Sequence, residues 1–255
     1  MIEFQKLVDI VSQLRDPLCG CPWDQKQTPR SLVPNFIEEL YEAVEAIEDG
    51  DPAALMEELG DLMLHIVFQA QIANEQGDFS ISEVLHSIAE KLIRRHPHVF
   101  QDLRLDDAEA VKMNWERLKK AEKKERISVL EGIPRSLPAL IYAQRTQEKA
   151  ASVGFDWQDL RPIWDKLKEE EMELREALQK NDGAMIHEEI GDMLFTIVNL
   201  ARKLHIDAEA ALKETTRKFS GRFNFIEEHY LQSGKDIHEA SLEELDSIWD
   251  LAKKR

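Results

Sequence analysis

Two sets of four carboxylates, 131 residues apart, are the residues of this sequence best suited to chemistry. Each set reads E-x-x-E, then fifteen residues, then E-x-x-D. The first quartet is Glu39, Glu42, Glu58 and Asp61, and the second quartet is Glu170, Glu173, Glu189 and Asp192. Like charges at helical spacing cost roughly 0.2–0.5 kcal/mol per pair, and a divalent cation reverses that cost. Because neither quartet contains a thiolate or an imidazole, we expect Mg²⁺, with Mn²⁺ as the alternative ion.

The quartets belong to an internal repeat. Aligned without gaps, residues 36–67 and 167–198 match at 13 of 32 positions, and all four acids are among the matches. His65 corresponds to Thr196, so we expect His65 to lie in the core. A solvated acidic helix face is the alternative interpretation in a chain that is 33% charged. An exposed face gives no reason for the acids to recur in the same register, so the repeat favours metal binding.

Each quartet needs two antiparallel helices to bring its members together. Gly50, Asp51 and Pro52 predict the end of one helix and the start of the next, because Gly suits the position after a last turn, Asp the N-cap and Pro the first turn. Asn181 and Asp182 begin the same kind of break in the second copy. Apolar residues recur at helical spacing around each break, which predicts two helical hairpins.

The hairpins predict which acids face one another. Within each helix the two acids are three residues apart and share a face. Folding the chain about each turn pairs Glu39 with Asp61, Glu42 with Glu58, Glu170 with Asp192 and Glu173 with Glu189. We therefore expect the four carboxylates of each quartet to converge at one level of their hairpin.

The composition excludes several classes of function. A net charge of −17 over 255 residues argues against non-specific binding to nucleic acid, which requires basic surfaces. No apolar run approaches the roughly 18 residues of a membrane span, and the N-terminal segment is amphipathic, unlike a signal peptide. Cys19 and Cys21 are too few for a disulfide scaffold or a zinc site. We expect a cytoplasmic protein without nucleic-acid or membrane partners.

The same composition predicts an all-α fold. Glycine and proline number only 10 and 9, and helix-forming residues dominate. The repeat predicts two tandem helical-hairpin domains of the four-helix type, at residues 1–125 and 139–255, joined by a proline-containing linker at 126–138. In the first domain, Ser82 is the predicted cap of a third helix that ends near Arg95.

A looser repeat of basic and aromatic residues accompanies the quartets. A cation pair at i and i+4 follows each hairpin, and a Trp and a Lys stand near the end of each half. The members are Lys91, Arg95, Trp115 and Lys119 in the first half and Lys218, Arg222, Trp249 and Lys253 in the second. Cations beside a metal–carboxylate site suit a triphosphate, and a Trp can stack on a base. Surface salt bridges and core packing are the alternative interpretations.

Several short motifs in both halves share one resemblance. They include C-P-W-D-Q-K-Q-T at Cys21–Thr28, E-E-L-Y-E at Glu38–Glu42, E-E-L-G-D-L at Glu57–Leu62, R-R-H-P-H-V-F at Arg94–Phe100, E-E-I-G-D-M at Glu188–Met193 and K-F-x-x-R-F at Lys218–Phe223. Together they resemble the MazG family in its two-repeat form, over nearly the whole chain. The resemblance implies an all-α, Mg²⁺-dependent and generally dimeric enzyme. Such enzymes cleave nucleoside triphosphates of many bases to the monophosphate and pyrophosphate.

The resemblance also assigns roles to residues. It makes both quartets metal ligands. The implied catalytic residues are Glu169 and Glu170, with Glu38 and Glu39 as their counterparts. The implied nucleotide-binding residues are Lys166, Lys218, Arg222, Trp249 and Lys253 in the second half and Arg94, Arg95, Trp115 and Lys119 in the first. The C-terminal half is usually held to be catalytic in bacterial relatives, but the ligand pattern here is intact in both halves.

The implied reaction is in-line attack of a metal-activated water on the α-phosphorus, with pyrophosphate leaving. Glu169 or Glu170 could accept the water proton, and the sequence leaves that assignment open. One alternative is a helical phosphohydrolase acting on an alarmone, on dUTP or on pyrophosphate. Another is a non-enzymatic helical regulator in which Mg²⁺ is structural.

Overall fold

The fold is helical throughout the part of the chain that can be described. The computed structural model describes residues 2–101, 103–104, 107, 110–111, 113–115, 117–118 and 128–254. All regular elements in these ranges are helices and none is a strand, which confirms the all-α prediction. Among the same residues, none of the helices combines the length and apolarity that a membrane span requires.

The chain divides into two compact units, Met1–Lys124 and Glu125–Arg255. Each unit contains one copy of the sequence repeat. The boundaries predicted from sequence, 1–125, 126–138 and 139–255, stay predictions, since part of the predicted joint lies outside the described residues.

The first unit is built around a helical hairpin. Its described helices are α1 (Ile2–Leu14), α2 (Pro22–Gln25), α3 (Val33–Asp49), α4 (Pro52–Gln76), α5 (Ile81–Arg95) and α6 (Pro97–Phe100). Helices α3 and α4 form the hairpin, and α4 also contacts α1 and α5. The long helix α4 therefore connects the acids of the first quartet to the rest of the unit.

The turn between α3 and α4 forms as the local sequence predicts. Gly50 ends α3 with a φ of 68°, a left-handed conformation that glycine adopts without a Cβ penalty. The Asp51 carboxylate caps α4 by accepting hydrogen bonds from the N–H groups of Ala53 and Ala54. Pro52 occupies the first turn, where its missing N–H costs nothing. These local interactions fix the register of the two helices.

A small apolar core joins α1 to the hairpin. Its buried members are Val11, Leu32, Val67, Phe68 and Ile72. His65 lies nearby on α4 and is buried, with its ring centre 5.6 Å from that of Phe36. Thr196 is buried at the equivalent place in the second unit. The predicted core position of His65 is thus confirmed.

Arg15 anchors the loop that follows α1. Its side chain is only 6% exposed and donates hydrogen bonds to both carboxylate oxygens of Glu75 at 2.6–3.1 Å. It also donates to the backbone carbonyls of Asp24 and Gln27 and lies over the ring of Phe68. Because a buried charge is stable only when it is paired, these contacts fix the C-P-W-D loop against α4.

One capping prediction was wrong. The cap of α5 is Ser80, two residues before the predicted Ser82. Ser80 and Glu83 form a reciprocal capping box, in which the Glu83 carboxylate accepts from the Ser80 N–H and the Ser80 hydroxyl accepts from the Glu83 N–H. Glu at the third helical position favours Ser80 over Ser82 as the cap. The predicted end at Arg95 is confirmed.

The second unit repeats the hairpin. Its described helices are α7 (Ala139–Ala151), α8 (Arg161–Lys180), α9 (Gly183–Lys203), α10 (Ala208–Ser233), a short 3₁₀ helix (Ile237–Glu239) and α11 (Leu242–Ala252). Asn181 ends α8 with a φ of 53°, and Asp182 caps α9. Helix α10 contacts both α9 and α11, and a core of Ile226, Tyr230 and Ile248 joins α10 to α11.

Asp156 anchors the G-F-D-W loop of the second unit. Its carboxylate accepts hydrogen bonds from Arg202 at 2.5 and 3.2 Å and forms an ion pair with Lys203 at 2.9 Å. The Arg202 hydrogen bonds, followed by those from Lys203, lower the pKa of Asp156 to about 2. Both partners lie in the last turn of α9, so the loop is fixed to the helix that carries half of the second quartet.

Candidate metal and nucleotide site

The first quartet lies across the α3–α4 hairpin. One carboxylate oxygen from each of Glu39, Glu58 and Asp61 lies within 4.8 Å of the other two. Glu42, one turn after Glu39, is hydrogen-bonded to it, and its charge acts on Glu58. The structure thus brings together the predicted pair Glu39–Asp61, whereas Glu42 stands beside the cluster.

The second quartet lies across the α8–α9 hairpin at the equivalent level. Here the three clustered residues are Glu170, Glu173 and Glu189, again with oxygens within 4.8 Å of one another. Glu170 and Glu189 are buried, at 3% and 8% exposure. Asp192 stands beside this cluster, and its charge acts on Glu189. The two hairpins therefore gather different triplets from the same four positions.

Partial desolvation and mutual repulsion raise the pKa of four acids in these clusters. They are Glu39, Glu58, Glu173 and Glu189. For each, the largest cause is the loss of water around the carboxylate, which disfavours the charged form, and the charges of other acids in the same quartet add to it. The fold therefore concentrates negative charge that a cation would stabilise.

The clusters fit a hard divalent cation. All donors are carboxylate oxygens, the ligand type that Mg²⁺ and Mn²⁺ prefer. Two oxygens on opposite sides of a Mg²⁺ ion are about 4.2 Å apart, slightly less than the 4.8 Å limit within which each triplet lies. Small side-chain rotations would close either triplet around an ion.

Lys166, one of the predicted nucleotide-binding residues, contacts the second acid cluster directly. Its ammonium lies 2.8 Å from a Glu169 oxygen and 2.8 Å from a Glu170 oxygen. Hydrogen bonds to Glu169 and then to Glu170 raise the pKa of Lys166, so it is cationic. Glu169, predicted to be catalytic, is exposed at the edge of the second cluster and shares this lysine with Glu170. Its counterpart Glu38 is exposed on α3.

An arginine–tryptophan pair joins α10 to α11. The guanidinium carbon of Arg222 lies 5.5 Å from the ring centre of Trp249. Phe219 packs on the same indole, with 5.0 Å between ring centres. The two predicted nucleotide-binding lysines near this pair form ion pairs within their own segments. Lys218 pairs with Glu214 at 3.2 Å, and Lys253 pairs with Asp250 at 2.9 Å. These lysines are exposed.

The first unit contains the same pair. The guanidinium carbon of Arg95 lies 5.2 Å from the ring centre of Trp115. Arg94 is exposed at the end of α5, and Lys119 lies outside the described residues. Helix α5 contacts α4 just as α10 contacts α9. In each unit, the helix that follows the acid-bearing hairpin therefore carries an arginine that lies over a tryptophan from later in the chain.

Phe219 and Phe223 extend the second pair and were not among the predicted site residues. Their rings are stacked, with centres 6.2 Å apart and an interplanar angle of 8°. The sequence signal was their spacing of four residues, which places two aromatic rings on one face of a helix. The K-F-x-x-R-F motif contains both rings and the flanking cations Lys218 and Arg222.

Comparisons with known proteins agree with this architecture. A family model described as the MazG nucleotide pyrophosphohydrolase domain matches residues 27–100 and 158–225. A nucleoside triphosphate pyrophosphohydrolase/pyrophosphatase MazG from Thermotoga maritima is 47% identical, over 99% of this chain and 96% of its own length. A nucleoside triphosphate pyrophosphohydrolase from Escherichia coli is 41% identical, over 100% and 98%. The protein YabN of Bacillus subtilis is 44% identical over 99% of this chain and 52% of its own length.

Proposed function

The chain belongs to the MazG family, and on this premise we propose that it hydrolyses nucleoside triphosphates to nucleoside monophosphates and pyrophosphate in the cytoplasm. The observation that carries the proposal is found in both units: a carboxylate triplet on the hairpin, and on the next helix an arginine that lies over a tryptophan. Oxygen ligands for Mg²⁺ or Mn²⁺ and a cation beside an aromatic ring are the groups that a nucleoside triphosphate requires.

We propose that each quartet holds Mg²⁺, with Mn²⁺ as a substitute. Glu170, Glu173, Glu189 and Asp192 would hold the ion in the second unit, and Glu39, Glu42, Glu58 and Asp61 would hold it in the first. When bound, the ion would supply a lower pKa for the attacking water and stabilisation of phosphate charge. Glu169 or Glu170, or Glu38 or Glu39 in the first unit, would accept the water proton.

The basic and aromatic residues would bind the rest of the nucleotide. Arg222 and Lys218 would contact the phosphates, since a guanidinium can bind phosphate through two parallel hydrogen bonds. Trp249 would stack on the base, and Lys166 and Lys253 would add positive charge. Because every base has a π-face, such stacking would accept many different bases. In the first unit, the same roles would belong to Arg94, Arg95, Trp115 and Lys119.

We also propose that the protein is a homodimer. Apolar side chains on the hairpin helices are exposed in the isolated chain, including Leu40 (50%), Leu59 (53%) and Leu194 (49%). Contiguous exposed apolar patches mark association surfaces in globular proteins, and we propose that these side chains form such a patch. Sedimentation equilibrium would give twice the 29.5 kDa chain mass, whereas a mass of one chain would contradict the dimer.

The reaction is tested by phosphorus NMR of the products from a panel of nucleoside triphosphates with Mg²⁺. Wild type, Glu58→Gln, Glu189→Gln and the double variant are compared, because Gln keeps helix propensity and removes the charge. Nucleoside monophosphate and pyrophosphate are the expected products, and the single variant that is silent identifies the active unit. Full activity of the double variant, or release of orthophosphate and diphosphate, would contradict the proposal.

A further inference from the structure

The two hairpins differ in charge at the position one helical turn before the first acid of each quartet. Lys166 precedes Glu170 by one helical turn, and the 131-residue offset of the repeat places Asn35 in the same relation to Glu39. Both residues lie on the first helix of their hairpin. The second quartet therefore has a lysine ammonium where the first has a neutral amide.

Lys166 is already in contact with the second cluster. Its ammonium lies 2.8 Å from Glu170, whose side chain is only 4% exposed, and 2.8 Å from Glu169. Glu170 is also one of the three residues whose oxygens lie within 4.8 Å of one another. The ammonium therefore neutralises part of the charge that a divalent ion entering this cluster would neutralise.

We propose that Lys166 is a built-in cation of the second quartet, which competes with the divalent ion for Glu170. The inference rests on the proposed function, because it concerns the same ion and the same substrate. It has two consequences. The nucleotide-free second quartet binds the ion more weakly than the lysine-free first quartet, and entry of the ion releases the ammonium to bind substrate phosphate.

Release of Lys166 couples the ion to the nucleotide. A phosphate that draws the ammonium away from Glu170 removes a competitor of the ion, so each ligand strengthens binding of the other. Asn35 has no charge to exchange, so we expect no such coupling through this position in the first unit. Lys166 therefore acts as a positioning and selectivity residue. Its effect can be measured as a change in metal affinity, without any measurement of turnover.

The test is a Mn²⁺ titration of the full-length, nucleotide-free protein, with free Mn²⁺ measured by electron paramagnetic resonance. Glu58→Gln with Asp61→Asn provides a background in which only the second quartet keeps its ligands. In this background we expect Lys166→Met to tighten Mn²⁺ binding at least roughly fivefold, because two unit charges about 4 Å apart in water already interact by about 1 kcal/mol and Mn²⁺ carries two charges. Unchanged or weaker Mn²⁺ binding by Lys166→Met would overturn the proposal.

Lys168→Met is the matched control. Lys168 lies on the same helix, is 73% exposed and pairs with Asp165 at 3.7 Å, so its loss removes the same net charge without touching Glu170. We expect no change in Mn²⁺ affinity for this variant. Equal tightening by Lys166→Met and Lys168→Met would mean that net charge alone is responsible, and it would overturn a specific role for Lys166.

The reciprocal variant is Asn35→Lys in a Glu189→Gln/Asp192→Asn background. We expect the introduced ammonium to weaken Mn²⁺ binding to the first quartet about fivefold, and unchanged affinity would count against the proposal. Circular dichroism checks that each variant is folded. Phosphorus NMR of wild type with nucleoside triphosphate tests the proposed function separately. A protein that shows the Lys166 effect without releasing pyrophosphate would contradict only the reaction.

Discussion

The guanidinium carbon of Arg222 lies 5.5 Å from the ring centre of Trp249. The same relation, at 5.2 Å, joins Arg95 to Trp115 in the other unit. A cation over an indole ring is attracted by the ring quadrupole, so the arginine helps to hold the indole in place. This arrangement can present a flat aromatic face and a phosphate-binding group together.

We expect Trp249→Leu to raise KM for nucleoside triphosphates about tenfold, because stacking on a base contributes roughly 1–3 kcal/mol. Trp115→Leu is the matched variant in the first unit. Steady-state kinetics of both variants identify the unit that binds substrate. An unchanged KM in both variants would exclude these indoles as base-stacking residues.

Metal-free stability should fall as pH rises through the weakly acidic range. The folded-state pKa of Glu39, Glu58, Glu173 and Glu189 is raised from the ordinary value of 4.5. Protonation of these acids thus favours the folded state below pH 4.5, and that contribution is lost as pH passes the raised values. Mg²⁺ should reverse the loss. Thermal unfolding with EDTA or Mg²⁺ at several pH values measures both effects.

The Glu58→Gln/Glu189→Gln double variant is the control for this pH effect. It removes a repelling charge from each cluster, so we expect higher metal-free stability at neutral pH and a smaller response to Mg²⁺. A Mg²⁺-induced rise in Tm as large as that of wild type would show that the ion binds elsewhere.

Asp156→Asn should destabilise the second unit at neutral pH. The pKa of Asp156 is lowered to about 2 by Arg202 and Lys203. Its contribution to the free energy of unfolding is therefore complete at pH values above the ordinary pKa of 3.8, and it is lost as pH falls toward 2. The shift corresponds to about 1–2 kcal/mol after allowance for solvent screening. Urea unfolding at pH 5.5 and pH 8 should give the same difference from wild type.

The control for Asp156 is Asp165→Asn. Asp165 forms a 3.7 Å pair with Lys168, and both side chains are well exposed. Exposed pairs of this kind contribute at most about 1 kcal/mol and often nothing measurable. A destabilisation of Asp165→Asn equal to that of Asp156→Asn would show that the contacts of Asp156 with Arg202 and Lys203 contribute no more than an exposed pair.

Arg15→Met should destabilise the first unit by about 2–4 kcal/mol, because it leaves Glu75 and two backbone carbonyls without their partner. Arg145→Met removes an exposed arginine whose pair with Glu148 lies within one helix, and it should cost well under 1 kcal/mol. Chemical denaturation of the two variants measures the difference. Equal stabilities would show that the Arg15 contacts contribute nothing beyond a surface pair.

Local sequence was sufficient to predict the hairpins and the level at which the acids meet. Gly50, Asp51 and Asn181 act through interactions within a few residues of themselves, such as left-handed φ values and side-chain caps. Helical periodicity then fixes which positions share a face. The cap of α5 was misplaced because Ser80 and Ser82 are both competent caps, and the partner Glu83 decides between them.

Only the tertiary structure decided which side chains within each site touch. The clustered triplet omits Glu42 in one hairpin and Asp192 in the other, although the sequence pattern is identical. Arg222 contacts Trp249 across 27 residues of sequence. Such contacts depend on rotamers and on the packing of neighbouring helices, which residue spacing along one helix does not specify.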